Sequence, residues 1–126
     1  MLEKARELLA ALGFTVATTD ALLLYLVGSV TERVLNETNQ TEIPEGLEYL
    51  SAEMVVGEYL NLKKNSGELD GFDTEAAIKQ IQEGDTNITF ALGAGSFTPE
   101  QRLDNLINYL ANGRTREFIR YRRVVW

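Results

Sequence analysis

The longest stretch with helical spacing of apolar residues runs from Ile43 to Asn65 and predicts a helix of about six turns. Apolar positions recur on two of its sides. One side carries Leu47, Leu50 and Met54, and the other carries Ala52, Val56, Tyr59 and Leu60. Because a helix that is apolar on two sides is packed on two sides, we expect the chain to be organised around it. Gly57 would allow another helix to cross it at close range.

The ends of this segment carry residues typical of helix termini. Pro44 suits the first helical position, where an N–H group is not needed. Lys63 and Lys64 place positive charge near the C-terminal end of the helix dipole, and Gly67 follows as a stop.

Two helices are predicted before this one. The first covers residues 1–12, and Gly13 can close it in the left-handed conformation. The second is capped by Thr19 or Asp20 and runs to about Leu35, before a polar surface loop. The core-facing positions are Leu2, Ala5, Leu8, Leu9 and Leu12 in the first helix, and Leu23, Leu26, Val27, Val30 and Val34 in the second.

The pattern after the central helix favours a β-hairpin. Ile88 and Phe90 alternate with polar residues after the turn Gly84–Asp85, which indicates strands near 78–82 and 86–91. A short helix followed by one strand is the alternative, and we prefer the hairpin. Because an isolated hairpin is marginally stable in water, we expect it to pack on the helices or to pair with a neighbouring copy.

The remaining segments are a helix and a basic arm. Residues 98–101, Thr-Pro-Glu-Gln, contain the cap, the proline and the acid of a helix start, and Gly113 follows the predicted end. Its core-facing positions are Leu103, Leu106, Ile107 and Leu110. Residues 114–126 mix arginines with β-branched and aromatic residues, which favours an extended arm. The predicted fold is mainly α: a small helical domain of about four to five helices, with a β-hairpin and an extended C-terminal arm.

Composition limits the chemistry. A chain of 126 residues is expected to form one domain, with residues 1–113 as a helical body and 114–126 as the arm. It has no cysteine and no histidine, so disulfides, thiol nucleophiles, the usual zinc sites and the commonest acid–base group are excluded. The glutamates of the predicted central helix recur at the spacing of a solvent-exposed helix face, not as a pair of catalytic carboxylates. We therefore predict a protein that is not an enzyme and uses no cofactor or metal.

The sequence carries no segment that indicates a membrane protein. No basic and apolar leader opens it, and no apolar run approaches the roughly 18 residues needed to span a bilayer. We expect a soluble protein made in a cytoplasm.

Charge is divided unevenly along the chain. The last 13 residues contain five arginines and one glutamate, a charge of +4, whereas the whole chain carries −7. Residues 1–113 therefore carry −11. This division suggests a partner contacted by the basic end. Arginines beside Tyr121 and Trp126 suit phosphates and bases, as in a small nucleic-acid-binding regulator. They equally suit a protein interface with an acidic groove.

Six segments together carry a family resemblance. They are Ile43–Tyr49, Val55–Tyr59, Gly84–Phe90, Thr98–Arg102, Leu106–Leu110 and Arg120–Arg123. In their order and spacing they resemble the head-to-tail connector proteins of long-tailed bacteriophages and prophages. The resemblance covers roughly residues 43–126, whereas the first two helices agree with the family only in number and position.

The resemblance implies a structural adaptor rather than an enzyme. Such proteins form a ring of about a dozen copies beneath the portal protein, which extends the DNA channel and docks the stopper or tail-completion protein. The expected location is the head–tail interface of the virion, after assembly in the host cytoplasm. DNA is expected to pass without specific binding, because an acidic wall repels phosphates.

The resemblance and the residue pattern also assign sites. The expected portal-binding residues are Arg120, Tyr121, Arg122, Arg123, Val124, Val125 and Trp126. The hairpin is expected to contact neighbouring copies or to line the channel, through Gly84, Asp85, Thr86, Ile88 and Phe90.

Overall fold

A computed structural model of the protein describes residues 1–12, 14, 16–67, 99–112 and 115–123. This part of the chain is mainly helical. Its elements are α1 (Leu2–Ala11), α2 (Ala21–Thr38), a 3₁₀ turn (Glu45–Leu47), α3 (Glu48–Asn65), α4 (Pro99–Asn112), a second 3₁₀ turn (Thr115–Glu117) and the short α5 (Phe118–Tyr121). The predicted hairpin near residues 78–91 lies outside the described residues.

Helix α3 is the centre of the described fold, as its two apolar sides predicted. It packs against α1, α2 and α4. Both predicted sets of apolar side chains are buried, and so are Val55 and the small residues Ser51 and Gly57. The Ser51 hydroxyl donates to the carbonyl of Leu47 at 2.7 Å, so this buried polar group is satisfied.

The crossing of α3 and α4 depends on Gly57. A Cβ atom added there would lie 2.6 Å from the backbone nitrogen of Ala111 and 3.0 Å from its Cα. These distances are shorter than van der Waals contact, so only glycine lets the two helices approach this closely. The close crossing that Gly57 allows is therefore present, and α4 is the helix that crosses there.

The start of the central helix differs from the prediction. Pro44 does not occupy the first position of α3; it precedes the 3₁₀ turn, and the Leu47 N–H donates to the Pro44 carbonyl at 2.9 Å. The α-helix begins only at Glu48. The chain thus enters the helix through a tighter turn, which is common at helix N-termini.

Helix α2 begins where predicted and ends later. The Asp20 carboxylate caps it by accepting from the backbone N–H of Leu23 at 2.9 Å. The helix continues past Leu35 to Thr38, whose buried hydroxyl donates to the Val34 carbonyl at 2.7 Å. Asn39 then adopts the left-handed conformation, with φ of 52°, and ends the helix. The polar loop expected to follow Leu35 is correspondingly shorter.

Helices α1 and α4 place their predicted apolar positions in the core. Ala5, Leu9 and Leu12 are buried, and Leu2 and Leu8 pack partly buried against the same core. In α4 all four predicted core residues are buried. Gly13 and Thr98, predicted as a stop and a cap, lie outside the described residues.

The basic C-terminal segment, residues 114–126, was predicted to be an extended arm, but its described residues, 115–123, begin with helical turns. Thr115–Glu117 forms a 3₁₀ turn and Phe118–Tyr121 forms α5, which packs on α2. The reason is Phe118, which is 3% exposed and belongs to the core. Arg122, which follows α5, has an extended backbone conformation. Within the described ranges, no helix is long and apolar enough to cross a membrane.

Candidate partner-binding surface at the C-terminal segment

Two aromatic side chains pack the basic C-terminal segment against the helical body. Phe118 inserts into the core, and the partly buried Tyr121 packs at its edge. The hydroxyl of Tyr121 lies so close to Gly46 that a Cβ atom there would overlap it. The absence of a side chain at Gly46 therefore makes room for the Tyr121 ring beside the 3₁₀ turn that precedes α3.

Hydrogen bonds then fix the backbone that follows α5 to the C-terminal end of α2. The Arg123 N–H donates to the Thr38 carbonyl at 2.6 Å, and the Asn39 side-chain amide donates to the Arg123 carbonyl at 3.1 Å. The Gln40 side-chain amide donates to the Tyr121 carbonyl at 2.8 Å. These bonds join residues more than 80 positions apart in the sequence, so they set the place from which the last residues leave the body.

Arg122 adds a charged contact at the same helix end. Its Nε donates to the backbone carbonyl of Glu37 at 3.0 Å, and Nη2 lies 3.5 Å from the Glu37 carboxylate. A cation is favoured here because the last carbonyls of a helix carry partial negative charge. About half of each side chain is exposed, so the ion pair itself contributes little to stability. Its main effect is to hold the guanidinium of Arg122 against α2.

The predicted portal-binding residues therefore divide into two groups. Tyr121 and Arg122 are engaged within the chain, whereas Arg120 and Arg123 have exposed side chains. Ile119, beside Arg120, is 70% exposed. Val124, Val125 and Trp126 lie outside the described residues, and so do all five hairpin residues, Gly84, Asp85, Thr86, Ile88 and Phe90.

Tyr121 also forms one wall of a concave surface next to the segment. Residues 40–45 supply the rest of its lining, and its volume is about 460 Å³. Glu42 and Glu45 give this surface negative charge, and Tyr121 gives it an aromatic ring. Aromatic residues are enriched at protein interfaces.

Sequence reasoning missed the residues that hold the segment: Glu37, Thr38, Asn39, Gln40 and Gly46. Asn39 did offer a signal, because asparagine is one of the few residues that adopt the left-handed conformation at a helix end. The others offered none, because their partners are distant in the sequence.

A second electrostatic feature joins α1 to the start of α3. Lys4 Nζ donates to the Glu48 carboxylate at 3.0 Å. This hydrogen bond and the attraction between the charges raise the pKa of Lys4 and lower the pKa of Glu48. Among the residues that the structure describes, no group of three or more acidic side chains is placed to hold a metal ion.

Comparison with known proteins adds no identification. No family model matches the chain, and no curated protein or solved structure is significantly similar to it.

Proposed function

We propose that the protein is a structural adaptor of a phage head-to-tail connector. It forms a ring beneath the portal protein, extends the DNA channel and docks the stopper or tail-completion protein. The observation that best supports this is the anchorage of the basic C-terminal segment to the end of α2 through Thr38, Asn39 and Gln40. A segment fixed in this way presents the residues beyond Arg123 to a partner from a defined point.

In this proposal the anchored and the exposed residues of the segment have different roles. Tyr121 and Arg122 are positioning residues, because they hold the segment on the body. Arg123 has an exposed side chain at the point of departure, and Val124, Val125 and Trp126 follow it. Arginine and tryptophan are the residues most enriched at energetic hot spots of interfaces, so we assign the portal contact to residues 123–126.

The charge of the rest of the chain suits a channel protein. Residues 1–113 carry −11, which repels DNA phosphates and lets DNA pass without sticking. In this proposal the hairpin near Gly84–Asp85 contacts neighbouring copies or lines the channel. The assembled protein is located at the head–tail interface of the virion, and its single copies are in the host cytoplasm during assembly.

The test is retention on purified portal protein from the same phage or prophage. A chain ending at Arg123 keeps Phe118 in the core and every described bond to α2, so it should remain folded and lose portal retention. Arg123→Glu should weaken retention as well, whereas Arg33→Glu, which makes the same charge change at an exposed position on α2, should not. Undiminished retention of the shortened chain would show that residues 124–126 are not the portal contact.

DNA binding by the same chains tests the alternative regulator. An adaptor with an acidic body should bind DNA weakly at physiological salt, where the Debye length is about 8 Å. A nucleic-acid-binding arm would bind tightly, and its log–log salt slope would fall by roughly one unit for each phosphate contact removed. Tight DNA binding that requires residues 123–126, without portal retention, would exclude the adaptor function.

A further inference from the structure

The C-terminal segment has an outer face that the anchorage does not use. Ile119 is 70% exposed, although its neighbour Phe118 lies in the core. The exposed residues Arg116 and Arg120 lie on either side of it in the sequence. Among the described residues, none forms a hydrogen bond or ion pair with either guanidinium group. The face therefore combines one apolar side chain with two cations.

A depression of matching chemistry lies between α1 and α3. Its volume is about 260 Å³, which is enough for one aliphatic side chain, and its surface is mostly apolar. It is lined by Lys4, Glu7, Leu8, Tyr49, Ala52 and Glu53. Leu8 and Ala52 supply apolar surface, and Glu7 and Glu53 supply carboxylates. Lys4, the one cation of this lining, is paired with Glu48.

We propose that Ile119 of one copy inserts into this depression on a second copy, with Arg116 and Arg120 facing Glu7 and Glu53. An apolar side chain between two cations thus meets an apolar site beside two carboxylates. The apolar insertion supplies affinity, and the charges orient the approach and reject wrong partners. This contact rests on the proposed function, since it supplies a copy-to-copy interface for the ring, and it assigns Arg120 to that interface rather than to the portal.

The geometry of the contact also limits the assembly. The face on the C-terminal segment and the depression between α1 and α3 share no residue, so two different surfaces meet. Such a contact is heterologous, and repeated copies of it generate a ring if the rotation closes.

Cross-linking between single cysteines tests the contact directly, because the chain has no cysteine of its own. An affinity-tagged Arg120→Cys chain, which keeps Ile119, is mixed with an untagged Glu53→Cys chain and treated with a short bis-maleimide. The matched control replaces Glu53→Cys with Glu58→Cys, since both glutamates lie on α3 and both are half-buried. We expect at least about five-fold more heterodimer with Glu53→Cys, owing to its higher effective concentration near Arg120. Equal yields with both partners would overturn the proposal.

Charge reversal provides the second measurement. Arg116→Glu in the Arg120→Cys chain should reduce cross-linking to the level of the Glu58 control, and Glu7→Arg in the Glu53→Cys chain should restore it. These side chains are outside the core, and circular dichroism verifies that each variant is folded. Cross-linking that is unchanged by Arg116→Glu, or not restored by Glu7→Arg, would contradict the assigned charges.

The outcome is separable from that of the proposed function. A chain that is retained on portal protein but fails to cross-link would refute the copy contact alone. A chain that cross-links as expected but is not retained on portal protein would refute the adaptor function and leave a self-associating protein.

Discussion

The two glycines inside α2 and α3 offer a test of how closely the core helices are packed. Gly57 faces the backbone of Ala111 in α4, whereas a Cβ atom added at Gly28 would have no other group within 4 Å. Both lie well inside 18-residue helices. Replacement by alanine therefore gives the same gain in helix propensity at both positions and a steric cost at only one.

The magnitudes follow from these surroundings. Alanine is favoured over glycine within a helix by about 0.5–1 kcal/mol, so Gly28→Ala should stabilise the fold by that amount. Gly57→Ala also forces α3 and α4 apart, because the new Cβ would lie 2.6 Å from a backbone nitrogen that has no rotamer to change. Overpacking of this kind costs about 1–3 kcal/mol, and a central cost of about 2 kcal/mol less the gain in propensity leaves a net loss of about 1–1.5 kcal/mol.

Urea unfolding followed by circular dichroism measures both effects. For a slope of about 2 kcal/mol per molar, the midpoint should fall by roughly 0.5–0.75 M in Gly57→Ala and rise slightly in Gly28→Ala. Unchanged slopes would show that the variants differ in stability rather than in compactness. If Gly57→Ala proved as stable as Gly28→Ala, the close contact of α3 with α4 would be refuted.

Three further predictions concern the cap of α2, the ion pair between α1 and α3, and the packing of the C-terminal segment on the core. Asp20→Ala should cost about 1 kcal/mol in thermal unfolding by removing the helix cap, and Asp20→Asn, which still accepts a hydrogen bond, should restore most of it. Pairing with Lys4 lowers the pKa of the Glu48 carboxyl below its ordinary value of 4.5. The stabilisation from this pair is therefore fully present above about pH 4.5 and is lost as the pH falls through the lowered pKa. The free energy of unfolding should therefore fall less between pH 7 and pH 3 in Glu48→Gln than in the wild type, and an equal fall would contradict the pairing. Phe118→Ala should cost about 3–5 kcal/mol in urea unfolding, whereas ending the chain at Arg123 should cost little; similar losses would place the anchorage beyond Arg123.

The sequence predicted the helical body well because local patterns determine it. The two apolar sides of α3, the carboxylate cap at Asp20 and the spacing of Leu103, Leu106 and Leu110 each reflect interactions within a few turns. Gly57 was a possible crossing point in the sequence, but only the structure shows that a helix crosses there and that it is α4.

The C-terminal segment was predicted less accurately because its conformation depends on distant residues. Its alternation of arginines with aromatic residues favours an extended chain, yet Phe118 has a place in the core and draws the segment into a helical turn. The extra turn of α2 has the same origin. Threonine is a poor helix former, but the buried Thr38 bonds to Val34 and accepts from Arg123, so tertiary contact outweighs propensity.

For the candidate site, the residue types were predicted but not their division of roles. Five neighbouring arginines all resemble partner-binding groups in sequence. Only the position of Glu37 shows that Arg122 serves the fold, and only the exposure of Ile119 shows that the segment has a second face. Neither feature has a local signal, because each depends on which surface of α5 meets α2.

The attachment of the last described residues to α2 has a mechanical consequence. A pulling force applied beyond Arg123 meets several bonds at one place: the backbone bond to Thr38, the amide of Asn39 and the two contacts of Arg122 with Glu37. Load is shared among them and enters the body at the end of an 18-residue helix rather than through α5 alone. Tension on the end of the chain would thus be carried along α2 into the core, while Phe118 remains packed there. Single-molecule stretching of the full chain and of a Thr38→Val, Asn39→Ala variant would measure how much force this anchorage bears.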